Sequence, residues 1–378
     1  MAGYVITMRS IEDIKKCIET GIYSTDIEHK LTDKRWRKQH EGTFADYLSM
    51  QAHDHIYFFS NRILYGIGEL INIQGDCKFL CYHHADDPLV PKNSKEYESC
   101  RPLIDSFTES NRCMCLFRPI PQFFLSGVDM DAVLNSNPDA FRMLRSLWKL
   151  SFIKVDDEED RALLDVILKH NERNINDDKK CFVFDDSLHN YLEHEDLTSY
   201  RFTYHNLAKY ANTDGAQHID HEMAIEASLC DILSHSDVEP FGHWDYISHQ
   251  VVASPFKPID YMDKMDVFGY RLIPGFSTIS KYLIIEIKKD GANEETVGQV
   301  MKYVDFVTNE YAHGDYSMVE AFIVAYDFSE NTKQTCRDKA VRNYISGYRP
   351  VTAEEWRSIH LVTYRYQNNR FHFEELKS

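Results

Sequence analysis

The segment MDVFGYRLIPGFSTISKYLIIEIKK, from Met265 to Lys289, is the most informative part of this chain. It contains two apolar runs of strand-like composition, and the segment PGFST between them is typical of a connecting loop. Asp266 opens the first run, and Glu286-Ile287-Lys288 closes the second. Charged groups gathered at one end of a buried hairpin need a cation or a substrate phosphate between them. The stretch therefore predicts a β-hairpin that carries a functional site.

Length and composition are those of a globular protein large enough for two domains. The chain has 378 residues, of which 43% are hydrophobic and 27% are charged. No apolar run approaches the roughly 20 residues of a membrane span, and the N-terminus lacks the apolar stretch of a secretory signal. We therefore expect a cytoplasmic protein with no membrane partner, whose nine cysteines are reduced thiols.

The net charge limits how the chain can meet nucleic acid. A formal charge of −18 argues against broad, non-specific adhesion to nucleic acid through the whole surface. It is compatible with a local basic groove, and an acidic metal site would itself add to the negative charge.

Residues 1–160 combine many short predicted strands with few helices, which is typical of a small β-barrel domain. The predicted strands are residues 4–8, 55–60, 63–71, 78–83, 115–118 and 152–155. The predicted helices are residues 10–20, with Ser10 as a cap, 129–134 and 139–148. Residues 161–200 are polar and charged, and after a helix over 160–170 they predict a linker or an exposed insertion.

Residues 201–378 form the second predicted domain. A helix over 218–234 precedes the hairpin, an amphipathic helix over 294–311 follows it, and a strand over 318–326 comes next. Helix, two strands, helix and strand in this order are typical of an α/β domain. We therefore expect a chain of α/β and α+β class.

The charged residues of the hairpin are candidate metal ligands. Mg²⁺ prefers hard oxygen ligands and is bound through one or two carboxylates, which Asp266 and Glu286 can supply, with the Ile287 carbonyl as a third ligand. We expect that Mn²⁺ can take the place of Mg²⁺. Lys288 projects to the same side of the strand as Glu286 because it lies two residues further along. There it can orient or help to deprotonate an attacking water, or stabilise charge on a phosphate.

Two predicted helices carry further candidates. Gln299 and Tyr303 are four residues apart on the helix after the hairpin and so share a face. Glu226 lies in the helix HEMAIEASLCDIL before the hairpin, on a face with Glu222 and Cys230. As an isolated residue, Glu226 is equally compatible with an ordinary exposed carboxylate.

At this point the chain resembles the PD-(D/E)XK phosphodiesterase superfamily over about residues 220–330. The run EIKK…VGQVMKYV is most similar to the branch of NucS-type DNA endonucleases. The resemblance implies a restriction-endonuclease-like mixed sheet flanked by helices. It implies that Asp266 and Glu286 bind metal, that Lys288 assists the nucleophilic water, and that Glu226 and Gln299 support the site. It also implies products with a 5′-phosphate. Asp260 and Asp263 compete for the role of the first acid, and Asp266 is preferred because it directly precedes Val-Phe-Gly.

The segment before the hairpin, FGHWDYISHQVVASPFKPID, is dense in aromatic and polar residues. Trp244, Tyr246 and His249 are candidates to line a substrate groove, and Lys257 and Tyr303 are candidates for nucleic-acid contact. The alternative for the aromatic residues is packing into the domain.

The N-terminal hairpin, HIYFFS followed by RILYGIGELI, resembles the strand pair of PUA-like domains of the EVE and YTH type. Domains of that family hold a modified or flipped base in an aromatic pocket, where the base stacks and polar groups read its edge. The resemblance makes Tyr57, Phe59, Ser60 and Asn61 candidates for such a pocket. The alternative is that alternating aromatic residues on a strand belong to the core.

Trp36 lies in the most basic short run of the chain, KLTDKRWRKQH. An aromatic ring beside Arg35, Arg37 and Lys38 suits a nucleic-acid contact, with phosphates held by charge and a base stacked on the ring. The alternative is a solvated charged face. Cys77, Cys81, His83, His84, Cys113 and Cys115 could provide a tetrahedral zinc site, or simply be buried in strands.

Together these features predict a modification-dependent DNA endonuclease of restriction or anti-phage defence. The expected partner is double-stranded DNA, with or without modified bases, and cutting both strands would favour a homodimer. Two alternatives remain at this stage. One is a structure- or mismatch-specific DNA repair nuclease, and the other is a non-catalytic nucleic-acid-binding or regulatory protein.

Overall fold

The computed structural model describes residues 2–27, 34–144, 152–212, 215, 217–253 and 263–376. The chain forms two compact units. The first comprises Met1–Lys34 and Met50–Phe202, and the second comprises Arg35–Ser49 and Thr203–Ser378. Residues 161–200 thus belong to the first unit. None of the helices in the described ranges combines the length and the apolar character needed to cross a membrane.

The described helices are distributed over both units. They are α1 Ile11–Thr20, α2 Lys38–Leu48, α3 Ser94–Ser99, α4 Met130–Ser136, α5 Asp157–His170, α6 Ser187–His194, α7 Tyr204–Ala211, α8 Glu222–His235, α9 Glu294–Glu310 and α10 Glu330–Lys339.

The described strands form three sheets. They are β1 Gly3–Thr7, β2 Ile22–Ser24, β3 His55–Ser60, β4 Ile63–Leu70, β5 Lys78–Leu80, β6 Cys113–Pro119, β7 Val128–Asp129, β8 Phe152–Val155, β9 Tyr246–Val252, β10 Lys264–Leu272, β11 Ile279–Ala292, β12 Val319–Phe328, β13 Arg342–Tyr348, β14 Val351–Trp356, β15 Ile359–Gln367 and β16 Arg370–Glu375.

The first unit is built on an eight-stranded sheet with the main order β2-β6-β4-β3-β1-β8. In addition, β5 pairs with β6, and β7 pairs with β4. Most neighbours are antiparallel, whereas β1 and β3 are parallel. Among the described residues the edge strands β2 and β8 do not pair with each other, so the predicted small barrel is an open, half-barrel sheet.

Local sequence signals account for the start of this unit. Ser10 caps α1, since its hydroxyl oxygen accepts a hydrogen bond from the Asp13 amide at 3.1 Å, as predicted. Asn61 and Arg62 join β3 to β4 with φ angles of 51° and 67°, the left-handed geometry that a two-residue hairpin turn requires. The predicted strand pair over 55–71 is therefore confirmed.

The second unit contains a six-stranded mixed sheet with the order β16-β15-β12-β11-β10-β9. The strands β9, β10 and β11 form an antiparallel meander, while β12 lies parallel to β11 and β15 lies parallel to β12. The central strands of this sheet and their neighbouring helices follow one another along the chain in the order α8, β9, β10, β11, α9 and β12. The mixed α/β class is confirmed, and β13 and β14 form a separate hairpin.

The predicted hairpin over 265–289 is confirmed as β10 and β11. Val267 pairs with Ile285 and Tyr270 pairs with Tyr282, which sets the register. Every residue from Tyr282 to Ile287 is buried, because β11 lies inside the sheet and both of its faces are covered. Asn293 then caps α9, accepting a hydrogen bond from the Thr296 amide at 3.0 Å. The strand thus leads directly into the next helix.

Candidate active site

Two acidic residues face each other across the hairpin of the second unit. The paired residues of β10 and β11 begin with Val267 opposite Ile285. Continuing the same antiparallel register by one residue places Asp266 opposite Glu286. Residues at corresponding positions of antiparallel strands project from the same face of the sheet. The Ile287 amide donates a hydrogen bond of 2.7 Å to Asp266 Oδ2, which fixes that carboxylate beside the end of β11.

Glu286 is the most buried acid of this group, with 1% of the residue exposed. Its Oε1 accepts a hydrogen bond from Lys288 Nζ at 2.6 Å. Its Oε2 is buried and has no hydrogen-bond partner among the described residues. A buried carboxylate oxygen without a donor is costly, and a bound cation would remove that cost.

The electrostatics of the cluster also favour a bound cation. Burial raises the pKa of Asp266 well above its usual range, and the nearby carboxylates of Glu226 and Glu286 raise it further. Burial also raises the pKa of Glu286, although Lys288 partly opposes this. For Lys288, burial would lower the pKa, but Glu286 and Asp266 raise it above its ordinary value. Several carboxylates that disfavour one another's charge form a site that a cation stabilises.

The donor set fits a hard divalent cation. Among the described residues, no three His, Cys, Asp or Glu side chains are already arranged as a metal-ligand group. The carboxylates of Asp266 and Glu286, together with the Ile287 carbonyl, could instead hold Mg²⁺ or Mn²⁺, the remaining positions being taken by water or substrate. The unpartnered Oε2 of Glu286 supports this fit.

Glu226 is brought to this site by α8 and is almost fully buried. The Gln250 amide nitrogen lies 3.0 Å from each of its two carboxylate oxygens. His249 Nδ1 lies 3.0 Å from Glu226 Oε1, and His249 Nε2 lies 2.9 Å from Asp46 Oδ1. Burial alone would lower the pKa of His249, but these two carboxylates raise it to about 10. Glu226 is therefore a fixed, buried acid and not an exposed helix residue.

The helix α9 places its two predicted residues together. The Gln299 amide nitrogen donates to the Tyr303 hydroxyl at 2.6 Å. Burial raises the pKa of Tyr303, and the negative charges of Glu286 and Asp266 raise it further. The Tyr303 phenol is thus close enough to both acids to be affected by their charge. Glu222, one turn before Glu226, accepts a hydrogen bond from the Lys289 amide at 3.3 Å. The sequence already indicated Glu222, because it lies one turn before Glu226 on the same face of the predicted helix.

The contacts predicted for the basic run need correction at Trp36. Only 2% of Trp36 is exposed, and its ring packs edge-on against Phe44 at 4.9 Å between ring centroids. An indole buried in this way has no free face for a base. Arg37 and Lys38 remain exposed at the start of α2, while Arg35 is half-buried and lies 3.4 Å from Asp220.

The predicted base pocket of the first unit also needs correction. Tyr57 is fully buried and its hydroxyl donates to Asp160 Oδ1 at 2.9 Å, while 7% of Phe59 and 4% of Ser60 are exposed. The reason is that β3 lies between β1 and β4, and all of its residues are buried. Asn61, in the turn after β3, is exposed.

The remaining predicted residues divide into two groups. Trp244 and Tyr246 pack into the second unit: the Trp244 indole donates to the Phe241 carbonyl at 2.8 Å, and Tyr246 stacks on Tyr270. They therefore line no groove, and the packing alternative is confirmed for them. Lys257 and the competing acid Asp260 lie outside the described residues, as does part of the helix predicted over 139–148.

Comparison with known proteins yields only distant likeness. No protein-family model matches the chain, and no curated protein matches it. Among solved structures, a repair endonuclease from Pyrococcus abyssi is similar at 24% identity over 25% of this chain and 34% of that chain, with a TM-score of 0.18. A Rhodopseudomonas palustris protein solved by NMR is similar at 15% identity over 44% of this chain and 92% of that chain, with a TM-score of 0.26. At these TM-scores neither likeness establishes a common fold.

Proposed function

We propose that this protein is a metal-dependent phosphodiesterase that cuts DNA, with Mg²⁺ as cofactor and Mn²⁺ able to replace it. The observation that carries the proposal is the arrangement at the end of β11. Asp266 and Glu286 face each other there, Lys288 Nζ lies 2.6 Å from Glu286 Oε1, and Glu286 Oε2 is buried without a partner.

Each residue has a chemical task in this proposal. When bound, the metal ion supplies Lewis-acid polarisation of the phosphate and a more acidic water. Asp266, Glu286 and the Ile287 carbonyl hold that ion. The Lys288 ammonium orients the attacking water or stabilises negative charge that develops on the phosphate oxygens. Glu226 and Gln299 support the site from the helices on either side of the hairpin in sequence.

We propose double-stranded DNA as the substrate, with cleavage restricted by a modified base that the first unit reads, as in a restriction or anti-phage system. Its support is the resemblance of the N-terminal hairpin to PUA-like base readers, and the buried residues Tyr57, Phe59 and Trp36 no longer contribute to it. One such site per chain cuts one strand at a time, so cutting both strands calls for a homodimer.

Plasmid cleavage tests the proposal directly. Wild-type protein is incubated with supercoiled DNA and Mg²⁺, Mn²⁺ or EDTA, beside Glu286→Gln and the matched control Glu330→Gln, whose side chain is exposed on α10. We expect metal-dependent nicking or linearisation by the wild type and the control, and none by Glu286→Gln. Cleavage that survives EDTA or Glu286→Gln would refute the proposal.

The choice of DNA separates the finer alternatives. The same assay compares unmodified, base-modified and mismatched duplexes of one sequence. Preference for a modified duplex supports the reader, while preference for the mismatched duplex favours a repair nuclease instead.

A further inference from the structure

His249 of β9 joins two acids that are distant in sequence. Its ring is almost completely buried, with Nδ1 3.0 Å from Glu226 Oε1 and Nε2 2.9 Å from Asp46 Oδ1. An imidazole ring that meets a carboxylate oxygen at each nitrogen donates a hydrogen bond from each. Asp46, His249 and Glu226 therefore form one continuous chain of charge-assisted hydrogen bonds, which are among the strong ones in proteins.

Asp46 belongs to α2, which packs against α8 within the second unit. This helix makes a second contact of the same kind, because Glu41 Oε1 lies 2.9 Å from His221 Nδ1. His221 directly precedes α8, the helix that carries Glu226. Two carboxylate–histidine pairs thus connect α2 to α8. One pair lies at the start of α8, and the other reaches the side chain of Glu226.

The opposite side of Glu226 is held by a strained residue. Gln250 has a φ of 53°, a left-handed conformation that costs free energy for a residue other than glycine. Its position faces Asp266, between the register pairs Val251 with Met265 and His249 with Val267. From there its amide reaches both oxygens of Glu226. The carboxylate therefore has donors from two neighbouring residues of β9, which fix its rotation.

We propose that Asp46 and His249 are positioning residues of the candidate active site, which hold the carboxylate of Glu226 in place beside Asp266 and Glu286. This inference rests on the proposed function for its effect on cleavage. It adds a role for α2, which lies outside the 220–330 stretch that carries the nuclease pattern. In sequence, α2 stands between two segments of the first unit. The nuclease site would thus depend on a helix supplied by the N-terminal part of the chain.

The test compares Asp46→Ala, Asp46→Asn and the control Asp305→Ala in the full-length protein. Asp305 forms a two-bond ion pair with Arg342 in the same unit, so its loss disturbs a comparable contact away from the site. Residues that orient metal-site ligands change metal affinity or activity by about 10- to 100-fold when removed. We expect Asp46→Ala to lower kcat, or raise the half-saturating Mg²⁺ concentration, by about that factor with an unchanged KM for DNA.

The conservative variant separates positioning from general stability. Asp46→Asn keeps an acceptor oxygen for His249 and is expected to restore most of the activity, while Asp305→Ala is expected to cleave like the wild type. Equal kcat and Mg²⁺ dependence of wild type and Asp46→Ala would overturn the inference and leave the proposed function intact.

A crystal structure of Asp46→Ala gives a readout that does not depend on activity. We expect the Glu226 carboxylate to leave its position or to occupy several conformations, while the backbones of α2 and α8 stay in place. An unmoved Glu226 would overturn the inference even if the wild type shows no nuclease activity. Should Asp46→Ala fail to fold, His249→Gln, which loses one of the two donors, takes its place in both measurements.

Discussion

Asp266→Asn is expected to stabilise the metal-free protein and to abolish DNA cleavage. Asp266 faces Glu286 and lies close enough to Glu226 for both charges to raise its pKa. Cβ atoms at such corresponding positions are about 5 Å apart, and two like charges at that distance repel by about 3 kcal/mol at an effective dielectric constant of 20. The attraction of Lys288 and partial solvent screening offset part of this. We therefore expect a net gain of about 1–2 kcal/mol for the variant.

The pH dependence of this gain follows from the direction of the pKa shift. In the folded protein the pKa of Asp266 lies above its unfolded value, so the folded state binds more protons between the two pKa values. The stability of the wild type therefore falls as the pH rises through that window, whereas Asn has no charge to lose. The advantage of Asp266→Asn is thus close to zero near pH 4 and largest above the folded pKa. The Asn side chain keeps an oxygen that can accept the Ile287 amide.

Thermal unfolding in EDTA and in Mg²⁺ measures this effect. A gain of about 1–2 kcal/mol raises Tm by roughly 2–8 °C for a unit of this size. Mg²⁺ at 100 times its Kd is expected to stabilise the wild type by about 2.7 kcal/mol and the variant hardly at all. Asp327→Asn, an exposed change on β12, is the control and should stay within about 0.5 kcal/mol of the wild type. If the stability of the variant relative to the wild type does not increase with pH in EDTA, or if Mg²⁺ stabilises both proteins equally, this explanation is wrong.

Three further changes test other parts of the structure. Lys288→Met should lower the cleavage rate by about 10²–10⁴-fold, while the DNA affinity measured by filter binding stays unchanged. Lys289→Met is the control. If Lys288→Met fails to fold, the role of Lys288 is structural instead. Trp36→Ala should destabilise the protein by about 3–5 kcal/mol in urea unfolding because the indole is buried, whereas Arg37→Ala should change it by less than about 0.5 kcal/mol. Ser10→Ala should cost about 1 kcal/mol through loss of the α1 cap, and an unchanged urea midpoint would contradict the cap assignment.

The central hairpin was predictable because its signals are local. The apolar run before Glu286 indicated a buried strand, and the segment PGFST indicated the loop. A hairpin of that loop length brings Asp266 opposite Glu286, and an interval of two residues places Lys288 on the same side. The fold class followed from the order of these elements, whereas the choice of Asp266 over Asp260 and Asp263 depended on its place before Val-Phe-Gly.

The contacts around Glu226 could not be predicted in the same way. His249 and Asp46 are 203 positions apart, and no local pattern states which distant helix covers a given strand. The left-handed conformation of Gln250 is likewise invisible in a strand-like segment such as YISHQVV. Both features arise from tertiary packing.

The errors at Trp36 and Tyr57 have a common physical origin. A basic run indicates an exposed surface, but Trp36 lies just before α2 and packs onto Phe44 of that helix, while Arg37 and Lys38 face solvent. Alternation along a strand separates a buried face from an exposed face only where one side of the sheet is open to solvent. Both faces of β3 are covered, so Tyr57 and its neighbours are all buried.

In the proposed mechanism, the acids at the end of β11 hold a divalent ion for phosphodiester hydrolysis. Anomalous diffraction from a crystal soaked in Mn²⁺ tests this most directly. We predict a peak within about 2.5 Å of the Asp266 carboxylate, Glu286 Oε2 and the Ile287 carbonyl oxygen, and its loss in Glu286→Gln. A map with no peak there, or with Mn²⁺ bound only elsewhere on the protein, would show that these acids do not form a metal site.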